Sequence, residues 1–174
     1  MEIALMQHFG IRKNLIVPNV TDMSGLVSFE TDILVLTKSG YATAIEIKVS
    51  KADLKNDLKK SHIKHLGTSW RSYQSKTAKQ YYYQSLKHFF YAVPEHLAEY
   101  AKEQIPDFCG LLIAKQHGKL DGVPYISFIN NLGHGADVLF KTKWTPEMHY
   151  DLARLGAMRI QGLKIKVRNL QSNK

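Results

Sequence analysis

The chain is poor in cysteine, in acids and in long apolar runs. Cys109 is its single cysteine, so no disulfide can form within it and no cysteine cluster can hold a metal. No stretch approaches the roughly 18 apolar residues of a membrane span. Residues 1–20 mix acid and base into their apolar positions, and we expect a cytoplasmic protein that avoids the membrane. Repeats, low-complexity tracts and interdomain linkers are missing too, and 174 residues suit a single domain, 1–174, around one core. The acids number 15 against 24 lysines and arginines, a net charge of +9, which favours anionic partners and nucleic acid first among them.

What is present reads as interleaved helices and strands. Residues 2–9 have helical spacing up to a stop at Gly10, with Leu5, Met6 and Phe9 on an apolar arc and Glu2 at its centre. That carboxylate is either a first-turn acid favouring the helix dipole or an inward-pointing functional group. NLIVPNV is a short strand, with Pro18 pointing to an edge or a bulge. Strands follow at LKHFFYAV and CGLLIAK, then a further edge strand at GVPYISFIN, with a short helix after Pro94 and a last helix opening at Thr145 and Pro146. Residues 76–84 suggest another helix, and LKIKVRN a basic alternating strand or tail. The class is α/β or α+β with a mixed sheet.

The stretch FETDILVLTKSGYATAIEIKVS, residues 29–50, holds two β-rich runs joined through Lys38, Ser39 and Gly40. Glycine third in a three-residue loop suits a type I turn with a bulge. This loop pairs Thr37 with Tyr41, Val35 with Thr43, Ile33 with Ile45 and Asp32 with Glu46, and sets Glu30 facing Lys48. A two-residue turn would oppose Asp32 to Ile47 and send the acids to opposite faces. In the three-residue register one face is Ile33, Val35, Ile45, Ile47 and Val49. The other carries Leu34, Leu36, Ala44 and the charges, so both faces read as covered by helices. Ser50 then caps a helix to about Lys60, with Leu54 and Leu58 inward and Lys51, Lys55 and Lys59 along the neighbouring side.

Opposed carboxylates repel, and burial raises the cost by stripping their water. A structural ion cluster of Glu30, Asp32, Glu46 and Lys48 is the plain alternative, but three acids and one base remain short of positive charge. A divalent cation completes the balance: two carboxylates, a carbonyl and water suit Mg²⁺. Lys48, two residues after Glu46, shares its face and can orient a nucleophile or steady developing charge on a phosphate.

Asp32, thirteen intervening residues and then Glu46-Ile47-Lys48 resemble the signature of the PD-(D/E)XK nucleases, and EIKVSKADLKNDLKKSHIKH resembles small bacterial and phage members such as the MmcB-like DNA repair group. Thr31 stands where the signature's name has proline, and Glu30 is an extra acid. The resemblance covers residues 2–60 by motif and implies a restriction-endonuclease-like mixed sheet flanked by helices. It further implies a Mg²⁺-dependent deoxyribonuclease, an endonuclease by preference, with Mn²⁺ as substitute, acting in DNA repair, recombination or phage DNA processing. Asp32, Glu46 and the Ile47 carbonyl would hold the metal, with Glu30 and Glu2 as further candidates, and Lys48 would complete the catalytic set. DNA is the expected partner, contacted by Lys51, Lys55 and Lys59 with Arg71 and Lys76 behind them, and a homodimer stays open. The competing reading is an inactive nuclease-fold module that binds DNA or joins a complex.

His62 and His65 lack a third ligand nearby, so phosphate contact or solvent exposure is the better reading. NNLGHGADV lacks the lysine and hydroxyl of a P-loop. Tyr81, Tyr82, Tyr83, Phe89, Phe90 and Tyr91 are of a kind that stacks on bases, but most are expected in the core.

Overall fold

The computed structural model describes residues 1–21, 26, 27, 29–60, 63, 86–120, 123–130 and 136–172. Helix α1 (Glu2–His8) precedes strands β1 (Leu15–Val20), β2 (Thr31–Leu36) and β3 (Ala42–Ile47), then α2 (Lys51–Asp57) and β4 (Leu86–Pro94). A 3₁₀ turn (Glu95–Leu97) leads into α3 (Ala98–Gln104), followed by β5 (Gly110–Leu120), β6 (Val123–Asn130) and α4 (Pro146–Ser172). The six strands form one mixed sheet in chain order, giving a single α+β domain. β3, β4 and β5 run parallel, and the remaining neighbours antiparallel. Parallel neighbours need a crossover, and α2 and α3 lie in the two crossovers.

Pro18 lies in β1, an edge strand, where a missing N–H costs no ladder bond on the open side. At Gly110, on β5 opposite Phe90, a Cβ would run into the Phe90 ring and sit 2.9 Å from the Ala136 Cβ. Only glycine lets the two strands and the 136 segment close together there.

Both sheet faces are buried. On one, Leu5 of α1 packs with Ile16, Ile33, Val35, Ile45, Ala92 and Leu112. The other is larger and includes Val17, Leu34, Ala44, Leu54, Phe89, Tyr91, Leu111 and Leu152, so α2 and the first turns of α4 cover it. Phe89 and Tyr91 are fully buried, as expected of core aromatics, whereas Val49, assigned to the first face, is 60% exposed because the chain has already left the strand for the Ser50 cap.

The segment LKIKVRN is neither strand nor tail. It continues α4, which runs unbroken from Pro146 to Ser172. Alternating apolar and basic residues mimic a strand, but no sheet edge pairs with them, and nothing in the segment breaks the helical hydrogen bonds. No helix among the described residues is long and apolar enough to cross a membrane. The expected helix at 76–84 lies outside the described residues, as do Arg71, Lys76, His62 and His65.

Candidate active site at the open end of the hairpin

The β2–β3 register is the one the three-residue loop requires: Ile33 pairs with Ile45, Leu34 with Ala44, Val35 with Thr43 and Leu36 with Ala42. The turn closes through Gly40 N–H donating to the Thr37 carbonyl at 2.9 Å, with Gly40 at φ +84°, a conformation glycine adopts without a Cβ clash. At the other end side chains take over the ladder. Thr31 Oγ1 donates to the Ile45 carbonyl at 3.2 Å, and the Asp32 carboxylate accepts the Ile47 N–H at 2.7 Å. Thr31, the departure from the signature's proline, is fully buried and fastens this end of the hairpin.

Glu46, near the end of β3, and Lys48, the first residue after it, project onto the α2 side of the sheet, 3% and 5% exposed. Lys48 Nζ lies 2.7 Å from Glu46 Oε2 and 3.1 Å from Asp57 Oδ1. Asp57 is 1% exposed; its Oδ1 also takes Lys60 Nζ at 2.7 Å, and its Oδ2 accepts the Tyr91 hydroxyl proton at 2.9 Å. Asp57 occupies this place because Ser50 Oγ accepts the Asp53 N–H at 3.1 Å and starts α2 in phase, which turns Leu54 and Asp57 inward together. The helix stops at Asp57 rather than near Lys60, and Lys60 N–H donates to the Asp57 carbonyl at 2.9 Å, so the closing turn returns the Lys60 side chain to Asp57.

This arrangement corrects the expected ion cluster. Glu30 is exposed and does not face Lys48; Asp57 and Glu46 do. The strands part company as a ladder beyond Ile33 and Ile45, so Glu30 has no cross-strand partner to hold it inward. Glu2 is half-buried on α1, whose Leu5 packs on the opposite sheet face, and no hydrogen bond or ion pair among the described residues joins Glu2 to the group. Lys51, Lys55 and Lys59 are all exposed, away from the inward face of α2 that carries Leu54 and Asp57, with Lys51 Nζ 5.0 Å from the centre of the Tyr100 ring.

Burial sets the protonation pattern. It pushes Glu46 up to about 7, against the pull of Lys48, with Asp32 and Asp57 adding repulsion. Burial alone would lower Lys48, but the Glu46 and Asp57 carboxylates outweigh it and hold the ammonium above its usual range. For Asp57 burial works upward, and the Lys60 hydrogen bond, the Lys48 charge and the Tyr91 hydroxyl overcome it to keep the carboxylate ionised below its usual range. Tyr91 is driven up by burial and by the Asp57 charge, which keeps its hydroxyl a donor.

The group thus contains three acids, Asp32, Glu46 and Asp57, and two bases, Lys48 and Lys60, and once Glu46 ionises, above about pH 7, one negative charge is in excess. Glu46 Oε1 is buried with no hydrogen-bond partner. A buried anionic oxygen without a donor is expensive, and a hard cation is one remedy. No cluster of three or more histidine, cysteine or acidic side chains with metal-holding geometry occurs among the described residues. A cation here would therefore rely on Asp32, Glu46 and the Ile47 carbonyl, a sparse set that suits an ion retaining several waters.

No protein-family model and no curated protein matches the chain. Among solved structures it is similar to a protein of unknown function from Silicibacter pomeroyi, with a TM-score of 0.54 and 20% identity, covering 97% of this chain and 88% of that one. The likeness is one of fold: a mixed α+β domain.

Proposed function

We propose that the chain is a Mg²⁺-dependent DNA endonuclease with a restriction-endonuclease-like fold, of the PD-(D/E)XK type. The observation that carries this reading is the convergence of Asp32, Glu46 and Lys48 at the open end of one hairpin, with Glu46 Oε1 buried and unpartnered. Asp32, Glu46 and the Ile47 carbonyl would hold the ion, which when bound acidifies a water and offsets charge on the phosphate. The chain's own groups do the remaining work. The Ile47 N–H fixes the Asp32 carboxylate, Glu46 Oε2 accepts an N–H of Lys48, and Asp57 Oδ1 holds the same ammonium as an ion pair. An N–H of Lys48 is left for a substrate oxygen. Asp57, tied in turn by Tyr91 and Lys60, positions Lys48 rather than touching DNA. Lys51, Lys55 and Lys59 supply phosphate contacts along the approach.

A cleavage screen with Mg²⁺ and Mn²⁺ on single-stranded, duplex, flap and four-way DNA tests the proposal. Cutting that disappears in Lys48→Ala and Asp32→Ala is expected; no cutting of any substrate by the wild type refutes the enzyme.

One observation favours a second reading, a non-catalytic DNA-binding module. Lys48 already has two carboxylate partners in a network that Tyr91 and Lys60 complete. That module would bind DNA in a salt-sensitive way, unchanged by Glu46→Gln and without taking up metal.

A further inference from the structure

The far half of α4 presents an apolar seam to solvent. Among the described residues Arg159 is the last of the helix to bond to the sheet domain, its guanidinium donating to the Asn19 carbonyl at 2.6 Å. Beyond it Ile160, Leu163, Val167 and Leu170 are 57, 60, 53 and 69% exposed. Their spacing of three, four and three residues places them within an arc of about 80° at about 100° per residue, the narrow seam of a paired helix rather than the wider stripe of one lying on a core. A β-branched residue opens each three-residue step and a leucine closes it, the choice that favours two-stranded pairing.

The residues flanking the seam state the chemistry of the partner. Arg159 and Lys166 lie on one side, Lys164 and Gln171 on the other, and residues 157–172 contain no acid at all. A parallel second copy would set Arg159 against Lys164, cation on cation, and gain no compensating pair. Duplex DNA would take the cations but leave four apolar side chains in water. An anionic bilayer surface is matched by helices with a broad apolar face carrying aromatic residues, and residues 157–172 contain no Trp, Tyr or Phe.

We propose that residues 160–170 dock an amphipathic helix of another protein whose apolar seam is flanked by glutamate or aspartate. This surface is separate from the carboxylate group on β3 and does not depend on its chemistry.

The test uses the full chain and two synthetic helical peptides of about three heptads. Both carry isoleucine and leucine along the seam; one has glutamate at the flanking positions and its twin has lysine. The glutamate peptide is expected to bind, the lysine twin at least about tenfold more weakly, and Leu163→Ser to weaken the glutamate peptide about tenfold or more. The double variant Lys164→Glu/Lys166→Glu should reverse the preference. All three positions are exposed, so the fold is retained, checked by an unchanged melting temperature. Equal binding of the two peptides, or binding of neither, overturns the proposal. So does a wild-type dimer in sedimentation that Leu163→Ser dissolves, which assigns the seam to a second copy. Capture of a duplex oligonucleotide or phosphatidylserine vesicles through Lys164 and Lys166, with no peptide bound, overturns it equally.

Discussion

Glu46 should make the metal-free protein less stable as pH rises, and Glu46→Gln should remove that penalty. In the folded chain its carboxyl holds a proton up to about pH 7, against an ordinary value of 4.5. Between those values the folded state binds more protons than the unfolded state, so unfolding free energy falls as pH rises. At about 1.4 kcal/mol per pH unit, the span corresponds to about 3 kcal/mol lost by pH 8. Glutamine keeps the shape of the protonated acid and cannot ionise. The two proteins should therefore match near pH 4.5, and the variant should be more stable by about 3 kcal/mol at pH 8. The assay is urea unfolding with a chelator present at several pH values, read as the difference between the proteins. That difference matters because His8, whose pKa burial lowers, contributes stability that rises with pH and would partly mask the trend in the wild type alone. A difference that stays at zero from pH 4.5 to 8, or a variant less stable than wild type at pH 8, refutes the burial argument.

Asp57→Ala removes the acceptor of Tyr91 and one partner from each of Lys48 and Lys60, and should cost about 3 to 5 kcal/mol in the same urea assay, as breaking a buried ion pair does. The Asp57 carboxylate is held ionised below its usual range, so its contribution is complete at neutral pH and is lost only as pH falls into and below that range. Gly110→Ala forces a methyl against Phe90 and Ala136 and should lower stability by about 1 to 3 kcal/mol, measured by thermal unfolding. Replacing Lys51, Lys55 and Lys59 together by alanine should weaken DNA binding across all sequences and flatten its salt dependence by about one ion per lysine, measured by fluorescence anisotropy at several salt concentrations.

The hairpin was legible because its loop chemistry and its charges agree. Glycine at the third loop position fixes the register, and that register brings Asp32 and Glu46 to one end. Asp57 was not read as part of the site, although a signal existed: it lies three residues after Leu54, on the face α2 must bury. A buried lysine with two acids nearby asks for such a group, but the charges on the strands alone point to Glu30. Strand pairing favoured Glu30 only while the ladder continued, and it stops at Ile33. LKIKVRN misled for a related reason. Its period of two and the four-residue helical spacing of Leu163 and Val167 coexist in the same residues, and the helix that starts at Pro146 continues through them to Ser172.

Whether Asp32 and Glu46 form a divalent-cation centre is read by a calorimetric titration of the wild-type protein with Mg²⁺ at pH 7, repeated in two buffers of different ionisation enthalpy. One site is expected, whose binding releases a proton from Glu46, with the signal lost in Asp32→Asn and Glu46→Gln. No binding heat, or Mg²⁺ uptake that persists unchanged in Glu46→Gln, would contradict it.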